Sequence, residues 1–240
     1  MIKIEHVETL GWEAAIRGMR NPMNSWEKSD SEMKWTEDPS YYDIGRPDLG
    51  MRMIIGPDDL NLMTRLRNSG TDHRKFMRMI TVYMDITAPL YWWKEFDTYK
   101  VGTVANSCST MHKIADKEFT LEDFSRDHLY AEDDIEGMYY SITAEEEFTS
   151  TDVLKVIIEA LNNYRKMYLA TKDKKDWWQM IQLLPSSYNQ RRTVMVNYEV
   201  LANMYKSRRN HKLDEWVDFC AEIERLPYSE LITKKEDGQK

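Results

Sequence analysis

The chain is 240 residues long, 42% hydrophobic and 12% aromatic with eight Trp, so it can bury a sizeable core and does not have the composition of a disordered polymer. A formal net charge of −8 argues against nonspecific nucleic-acid binding, which rests on phosphate neutralisation by Lys and Arg. There is no run of about 18 apolar residues to span a membrane, and MIKIEHVETLGWE at the N-terminus lacks the apolar stretch of a signal peptide.

In chain order, ETLGWEAAIRGMR (8–20) predicts a helix with Leu10, Ala14, Ile16 and Met19 facing inward. Residues 21–55, rich in Pro, Gly, Asp, Asn and Ser, read as a long irregular connection of the kind that often carries function. Pro57-Asp58-Asp59 opens a helix through Arg67, with Pro in the first turn and acids near the positive end of the dipole, and Asn68-Ser69-Gly70 stops it. From Phe76 to Ile86 the pattern alternates. Ile80, Val82, Met84 and Ile86 share one face, and Met79, Thr81, Tyr83 and Asp85 share the other, which predicts a strand. Ala88-Pro89 closes it, PLYWWKEFDTYK resumes as a helix, and VGTVANSCSTMHK (101–113) reads as a loop.

AEDDIEGMYYSITAEEE (131–147) is an anionic, solvated excursion. FTSTDVLKVIIEALNNYRKMYLA (148–170) predicts a capped amphipathic helix with Leu154, Ile157, Ile158, Leu161, Tyr164 and Tyr168 inward. KDWWQMIQLL is a shorter helix that stops at Pro185, and Arg192 to Asn197 is either a strand or the lead-in to the next helix. In NYEVLANMYKSRR (197–209), Val200, Leu201, Met204 and Tyr205 form an apolar stripe that runs back to Asn197 and on to Arg208. LDEWVDFCAEIERL (213–226) is a last helix, and the tail from about residue 230 reads as frayed. Helices with one or two strands predict a single α+β domain over 1–240.

Generic catalytic signatures are absent: no G-x-G-x-x-G, no P-loop, no G-x-S-x-G and no H-E-x-x-H. His6, His73, His112, His128 and His211 show no i, i+4 pair, so no metal site is expected. Cys108 and Cys220 lie far apart with no C-x-x-C, which speaks for a reducing, cytoplasmic setting, and Cys108 has no base nearby in sequence. The region 189–213 is basic on an otherwise acidic chain, a pattern that suits a small anionic ligand better than a polymer.

The order of elements carries a resemblance. SGTDHRKFMR precedes the predicted strand, with His73 at the place of a His in a G-H-x-x-x-F-E-H type segment. Ala88-Pro89 then stands where an A-P-x-x-x-x-R-Q-W helix begins. Asn106 and Ser109 fit the N-x-x-S of an R-H-R-x-x-S-x-N-x-x-S-x-R-Y loop, and Leu184-Pro185 fits R-x-x-L-P. Asn197, Asn203 and Arg208 fall on the Asn, Asn and last Arg of N-A-R-S-L-x-N-F-L-x-x-R. In these features the chain resembles the flavin-dependent thymidylate synthases along most of its length. It departs from them at Thr98, Tyr99 and Lys100 in place of R-H-R, with one extra residue before Asn106. It departs again at Met111-His112 in place of R-Y, at Ile181 in place of the Arg of R-x-x-L-P, and at Glu199 in place of the Arg of N-A-R.

The resemblance implies an α+β fold with a mixed or antiparallel sheet flanked by helices. It implies a homotetramer with shared active sites that binds FAD and methylates dUMP to dTMP, with methylenetetrahydrofolate as carbon donor and NADPH as reductant. Arg208 would be catalytic and would engage the uracil. His73, Asn106, Asn197 and Asn203 would belong to the flavin site, and Ser109 to the substrate phosphate or ribose. Lys100, with Lys113, Arg191 and Arg192, could replace missing positive charge around a phosphate. Each assignment has a plainer counterpart: Asn197 as a helix cap, Asn203 as a solvent-facing residue, Ser109 in turn chemistry and His73 as an exposed loop residue. Two other functions stand beside methyl transfer. One is a nucleotide- or flavin-binding relative that has lost the reaction; the other is a partner-binding protein using the Trp pairs 92–93 and 177–178.

Overall fold

The computed structural model describes residues 2–35, 51–131, 134, 138–141 and 146–234. Much of the 21–55 connection, parts of the acidic 131–147 segment and the tail after 234 therefore lie outside the described residues. The chain forms two compact units. The larger comprises Ile2–Ile86, Phe96–Asn106 and Arg192–Lys240, and the smaller comprises Thr87–Glu95 and Ser107–Arg191.

A four-stranded sheet contains β1 (Lys3–Leu10), β4 (Thr81–Pro89), β8 (Asn189–Asn197) and β5 (Val104–Ser107), in the order β1-β4-β8-β5. The alternation read between Phe76 and Ile86 is physically correct: Ile80, Val82, Met84 and Ile86 are all buried. On the other face Thr193 Oγ1 donates to Asp85 Oδ1 across neighbouring strands at 2.5 Å. The strand itself starts later than the alternation, because Arg74–Met79 is a 3-10 helix.

Residues 8–20 are not one helix. β1 ends at Leu10, and α1 (Trp12–Arg20) begins after Gly11, whose φ of +91° is the left-handed region that favours glycine. Leu10 is exposed and Ala14 half-buried, while Trp12, Ala15, Ile16 and Met19 are buried, so the inward face is rotated from the predicted one. β2 (Glu32–Trp35) and β3 (Met51–Ile54) then pair antiparallel.

α2 (Pro57–Asn68) starts where predicted. Its first turn is capped from a distance, with Asp30 Oδ2 accepting from Asp58 N and Oδ1 from Asp59 N at 2.9 and 3.0 Å. Beneath it Arg20 Nε donates to Asp59 Oδ1 at 2.7 Å, in a pair with side chains 5% and 0% exposed. Burial alone would raise the Asp59 carboxyl, but the Ser29 and Ser31 hydroxyls and Arg20 hold it below the ordinary carboxylate range.

α7 (Tyr198–Arg208) follows β8 directly and packs on α8 (Asp214–Glu224) and on the short α9 (Glu230–Thr233). Trp216, Phe219 and Phe96 are fully or almost fully buried together, with Phe96 stacked on Trp216 and Phe219 edge-on to it. Arg67 closes the C-terminal end of the unit by donating from Nε to Leu231 O at 2.7 Å.

In the smaller unit α3 (Leu90–Phe96) carries Trp92 and Trp93, both buried. This removes the 92–93 pair as an interaction surface. The long helix α5 (Ser150–Thr171) packs on α6 (Lys174–Leu183). Leu154, Ile158, Leu161 and Met180 form a core with Ile114, Ala115, Phe119 and Phe124. Asn162 is buried there and pairs with the Phe119 backbone on both sides of its amide, accepting from Phe119 N and donating to Phe119 O, each at 2.9 Å. Of the second Trp pair, Trp177 donates from Nε1 to Met111 O and Trp178 is exposed. β6 (Tyr139–Ser141) and β7 (Glu146–Phe148) form an antiparallel pair ahead of α5. Residues 101–113 are not a plain loop, since they contain β5 and α4 (Thr110–Lys113). Among the described residues no helix is long and apolar enough to cross a membrane.

Candidate functional site

α7 carries three of the predicted site residues, Asn197 at its N-cap, Asn203 and Arg208. Asn197 is its N-cap: Oδ1 accepts from Val200 N at 3.0 Å, and Nδ2 lies 3.5 Å from Gly102 O. Gly102 has φ +80°, and a Cβ there would stand 2.7 Å from Asn197 Nδ2, so the chain passes the cap at backbone distance. The amide of Asn197 thus serves the cap through Oδ1 and faces Gly102 through Nδ2.

At the other end of the helix Arg208 is half-buried and donates from Nε to Tyr99 Oη at 3.1 Å. Its Nη1 is 2.9 Å from His211 Nε2. The guanidinium carbon lies 4.9 Å from the Trp216 ring centroid and 5.8 Å from that of Tyr99, which is stacking and cation–π distance. Arg208 thus closes the helix as a C-terminal cation, and it does so in an aromatic cage rather than by reaching loosely to water. Through Tyr99 at one end and Gly102 near the other, the segment 99–102 with Lys100 is tied along α7.

The stripe on α7 is rotated from the one read in the sequence. Tyr198, Glu199, Leu201 and Met204 are buried, whereas Val200 and Tyr205 are half-buried. Glu199, which stands where the resemblance calls for Arg, accepts from Arg74 Nε at 3.1 Å and from Arg78 Nε and Nη2. Burial alone would raise its carboxyl, but the hydrogen bonds from Arg78 and Arg74 outweigh this and hold it below the usual range. Both arginines come from the 3-10 helix that His73 precedes as N-cap, so His73 is brought to an element joined to α7. Arg74 and Arg78 were not read as site residues. The signal that could have found them was their own spacing in HRKFMR, two cations one turn apart, set against the misplaced acid at 199.

His73, Lys100, Asn106 and Asn203 all have exposed side chains in the larger unit, Asn106 on β5 and Asn203 on the outer face of α7. An imidazole, an ammonium and two amides match in chemistry the phosphates and ring edges of a flavin dinucleotide. The fit fails at Glu199, whose carboxylate cannot face a phosphate except through Arg74 or Arg78. Ser109 belongs to the smaller unit and caps α4 by accepting from His112 N at 3.1 Å. Lys113 pairs with Asp116, and Arg192 donates to Asp97 Oδ1 at 2.8 Å. Cys108 is exposed, while burial pushes the Cys220 thiol up to about 12, which leaves it a core residue and not a nucleophile.

Several solved structures share this arrangement of elements. One is the flavin-dependent thymidylate synthase ThyX from Helicobacter pylori complexed with FAD and dUMP, 17% identical, with a TM-score of 0.61 over 96% of this chain and 97% of that one. A second structure of ThyX from Helicobacter pylori with FAD and dUMP gives 15% identity and a TM-score of 0.60, covering 97% of each chain. The UMP/dUMP methylase PolB from Streptomyces cacaoi, bound with 5-Br dUMP, is 14% identical with a TM-score of 0.53 over 93% of this chain and 88% of its own. No family model matches the sequence, and no curated protein matches it. The fold is thus that of the ThyX flavin-dependent thymidylate synthases, as the order of motifs implied.

Proposed function

We propose that this protein is a divergent flavin-dependent thymidylate-synthase-like enzyme acting on a pyrimidine nucleotide. The observation that carries this reading is the fixed guanidinium of Arg208, at the end of the helix where the family places its nucleotide-binding arginine, in a chain with the ThyX fold. A cation held in a partly dry, aromatic setting stabilises negative charge developing on a ring carbonyl more than a mobile surface cation would. His73, Lys100, Asn106 and Asn203 would hold FAD from the larger unit, with Arg74 and Arg78 as additional phosphate partners. Ser109 would reach the substrate phosphate or ribose. Bound FAD would supply the reducing equivalents, with NADPH as their source and methylenetetrahydrofolate as the carbon donor. A homotetramer with shared sites in the cytoplasm completes the reading.

One observation favours a second reading. Glu199 is a buried carboxylate locked by two arginines where the family pattern has an arginine, which fits a nucleotide- or flavin-binding relative that has lost methyl transfer. One experiment separates the two. The purified protein is titrated with FAD while its visible absorbance is followed, and is then assayed for conversion of dUMP to dTMP with methylenetetrahydrofolate and NADPH. Turnover that disappears in Arg208→Ala with the far-UV circular dichroism unchanged supports the enzyme. Flavin and dUMP binding without turnover supports the relative. A colourless protein that rejects added FAD overturns the flavoenzyme.

A further inference from the structure

We propose that Tyr99 and His211 are positioning residues for Arg208, so that the segment in which this chain departs from R-H-R does work of its own on the nucleotide site. The proposal rests on the reading of Arg208 as the group that engages the substrate. An arginine carries large rotamer freedom, and one that must be fixed at the moment of binding loses affinity by that ordering. Here the ordering is already done. Tyr99 Oη accepts from Nε, His211 Nε2 faces Nη1, and the guanidinium carbon lies over the Trp216 ring, 4.9 Å from its centroid.

Each support is itself held. Trp216 is fully buried and stacked on Phe96. Tyr99 N donates to Phe96 O at 3.0 Å, and Tyr99 O accepts from Thr103 Oγ1. His211 N donates to the carbonyl of Arg208 itself at 3.0 Å, which folds the imidazole back over the guanidinium. A guanidinium can only donate, so the ring nitrogen it faces must be the bare one. Leu213 N donates to the other ring nitrogen, Nδ1, at 3.2 Å. A neutral imidazole has one bare nitrogen, so the two donors compete for it, and the shorter, charge-assisted contact from Arg208 is the stronger competitor.

The test uses the full chain. Tyr99→Phe keeps the ring and deletes the acceptor, His211→Ala removes the second support, and His211→Gln restores an acceptor. The first readout is the Arg208 Nε–Hε resonance in nitrogen-15 NMR of the ligand-free protein, assigned by its loss in Arg208→Lys. It should be protected from exchange in the wild type and move or broaden in Tyr99→Phe. The second readout is dUMP affinity with FAD present. Tyr99→Phe and His211→Ala should each weaken dUMP about 10-fold, the scale of one hydrogen bond to a charged group, and His211→Gln should recover most of the loss. Neither should weaken it further in an Arg208→Ala background, because both act through Arg208. An Arg208 resonance unchanged by Tyr99→Phe, or losses that add fully to that of Arg208→Ala, would overturn the proposal. A wild-type protein that binds no dUMP would sink the enzymatic reading instead, and the NMR result would still decide whether Arg208 is positioned.

Discussion

Glu199 lies on the first turn of α7 with a side chain only 10% exposed, and a carboxylate that deep stays charged because Arg74 and Arg78 donate to it. Its folded-state pKa is depressed, so the stabilisation is fully present above the unfolded value of about 4.3 and is lost as pH falls through the lower folded value. Glu199→Gln should therefore destabilise the protein by about 1–3 kcal/mol at pH 7. The gap to wild type should narrow as pH falls below the unfolded value and through the lower folded one, where the wild-type carboxylate takes up its proton. Thermal melts of both proteins at pH 7 and at a series of acid pH values check this, and a gap that is flat with pH contradicts the ionic account. Asp59→Asn is the harsher change. It leaves the 5%-exposed Arg20 without its carboxylate and should cost about 3–5 kcal/mol, read as a drop in the urea midpoint. None of these pairs could be read from local spacing, because Arg74 and Glu199 or Arg20 and Asp59 are joined only by the fold. That Arg208 ends α7 was legible, since the helix pattern stops there with a cation in its last turn. Its partners Tyr99 and Trp216 were not, because both come from other elements.

Elements were legible where a hydrophobic period and burial coincide. β4 buries the residues that its spacing selects, α5 buries Leu154, Ile158 and Leu161 and packs Ile157, Tyr164 and Tyr168 half-buried against the same core, and α2 begins at its Pro and acids. β1 was missed because Ile4, Val7 and their neighbours are only half-buried, so no clean alternation marks the strand. β5 was missed for a stronger reason: every residue of Val104–Ser107 is exposed, and backbone pairing alone makes it a strand. The junction between β1 and α1 shows what the sequence did carry without being read. Gly11 has φ +91°, and a Cβ there would meet Met79 O at 2.1 Å, whereas Gly70 at φ +99° has nothing within 4 Å. Gly70→Ala should cost only the left-handed backbone penalty, about 1–2 kcal/mol. Gly11→Ala should cost clearly more, because the Met79 backbone must also shift. Urea unfolding of the two variants side by side decides it, and equal losses would remove the close approach as a constraint.

For the molecule as a whole, the question is whether a dianionic nucleotide can bind a chain of net charge −8. Long-range repulsion from that charge falls off within a Debye length of about 10 Å at 0.1 M salt, so local cations decide the outcome once the ligand is near. The larger unit supplies them in Arg208, Arg74, Arg78 and Lys100; of its buried acids, Glu199 sits against Arg74 and Arg78 and Asp59 against Arg20. A ligand that binds only the native state stabilises it by about 2.7 kcal/mol at one hundred times its Kd. For a chain of this length that raises the melting temperature by roughly 5–10 °C. Saturating dUMP with FAD present should give this shift in the wild type and lose most of it in Arg208→Ala. The shift should be unchanged in Arg126→Ala, which removes an exposed cation of the smaller unit paired with Glu122. Moderate salt should leave the wild-type shift in place, since screening relieves the overall repulsion while the half-buried Arg208 contact is screened least. A shift that Arg208→Ala and Arg126→Ala reduce equally would mean that dUMP is held by general surface charge and not by the site on α7.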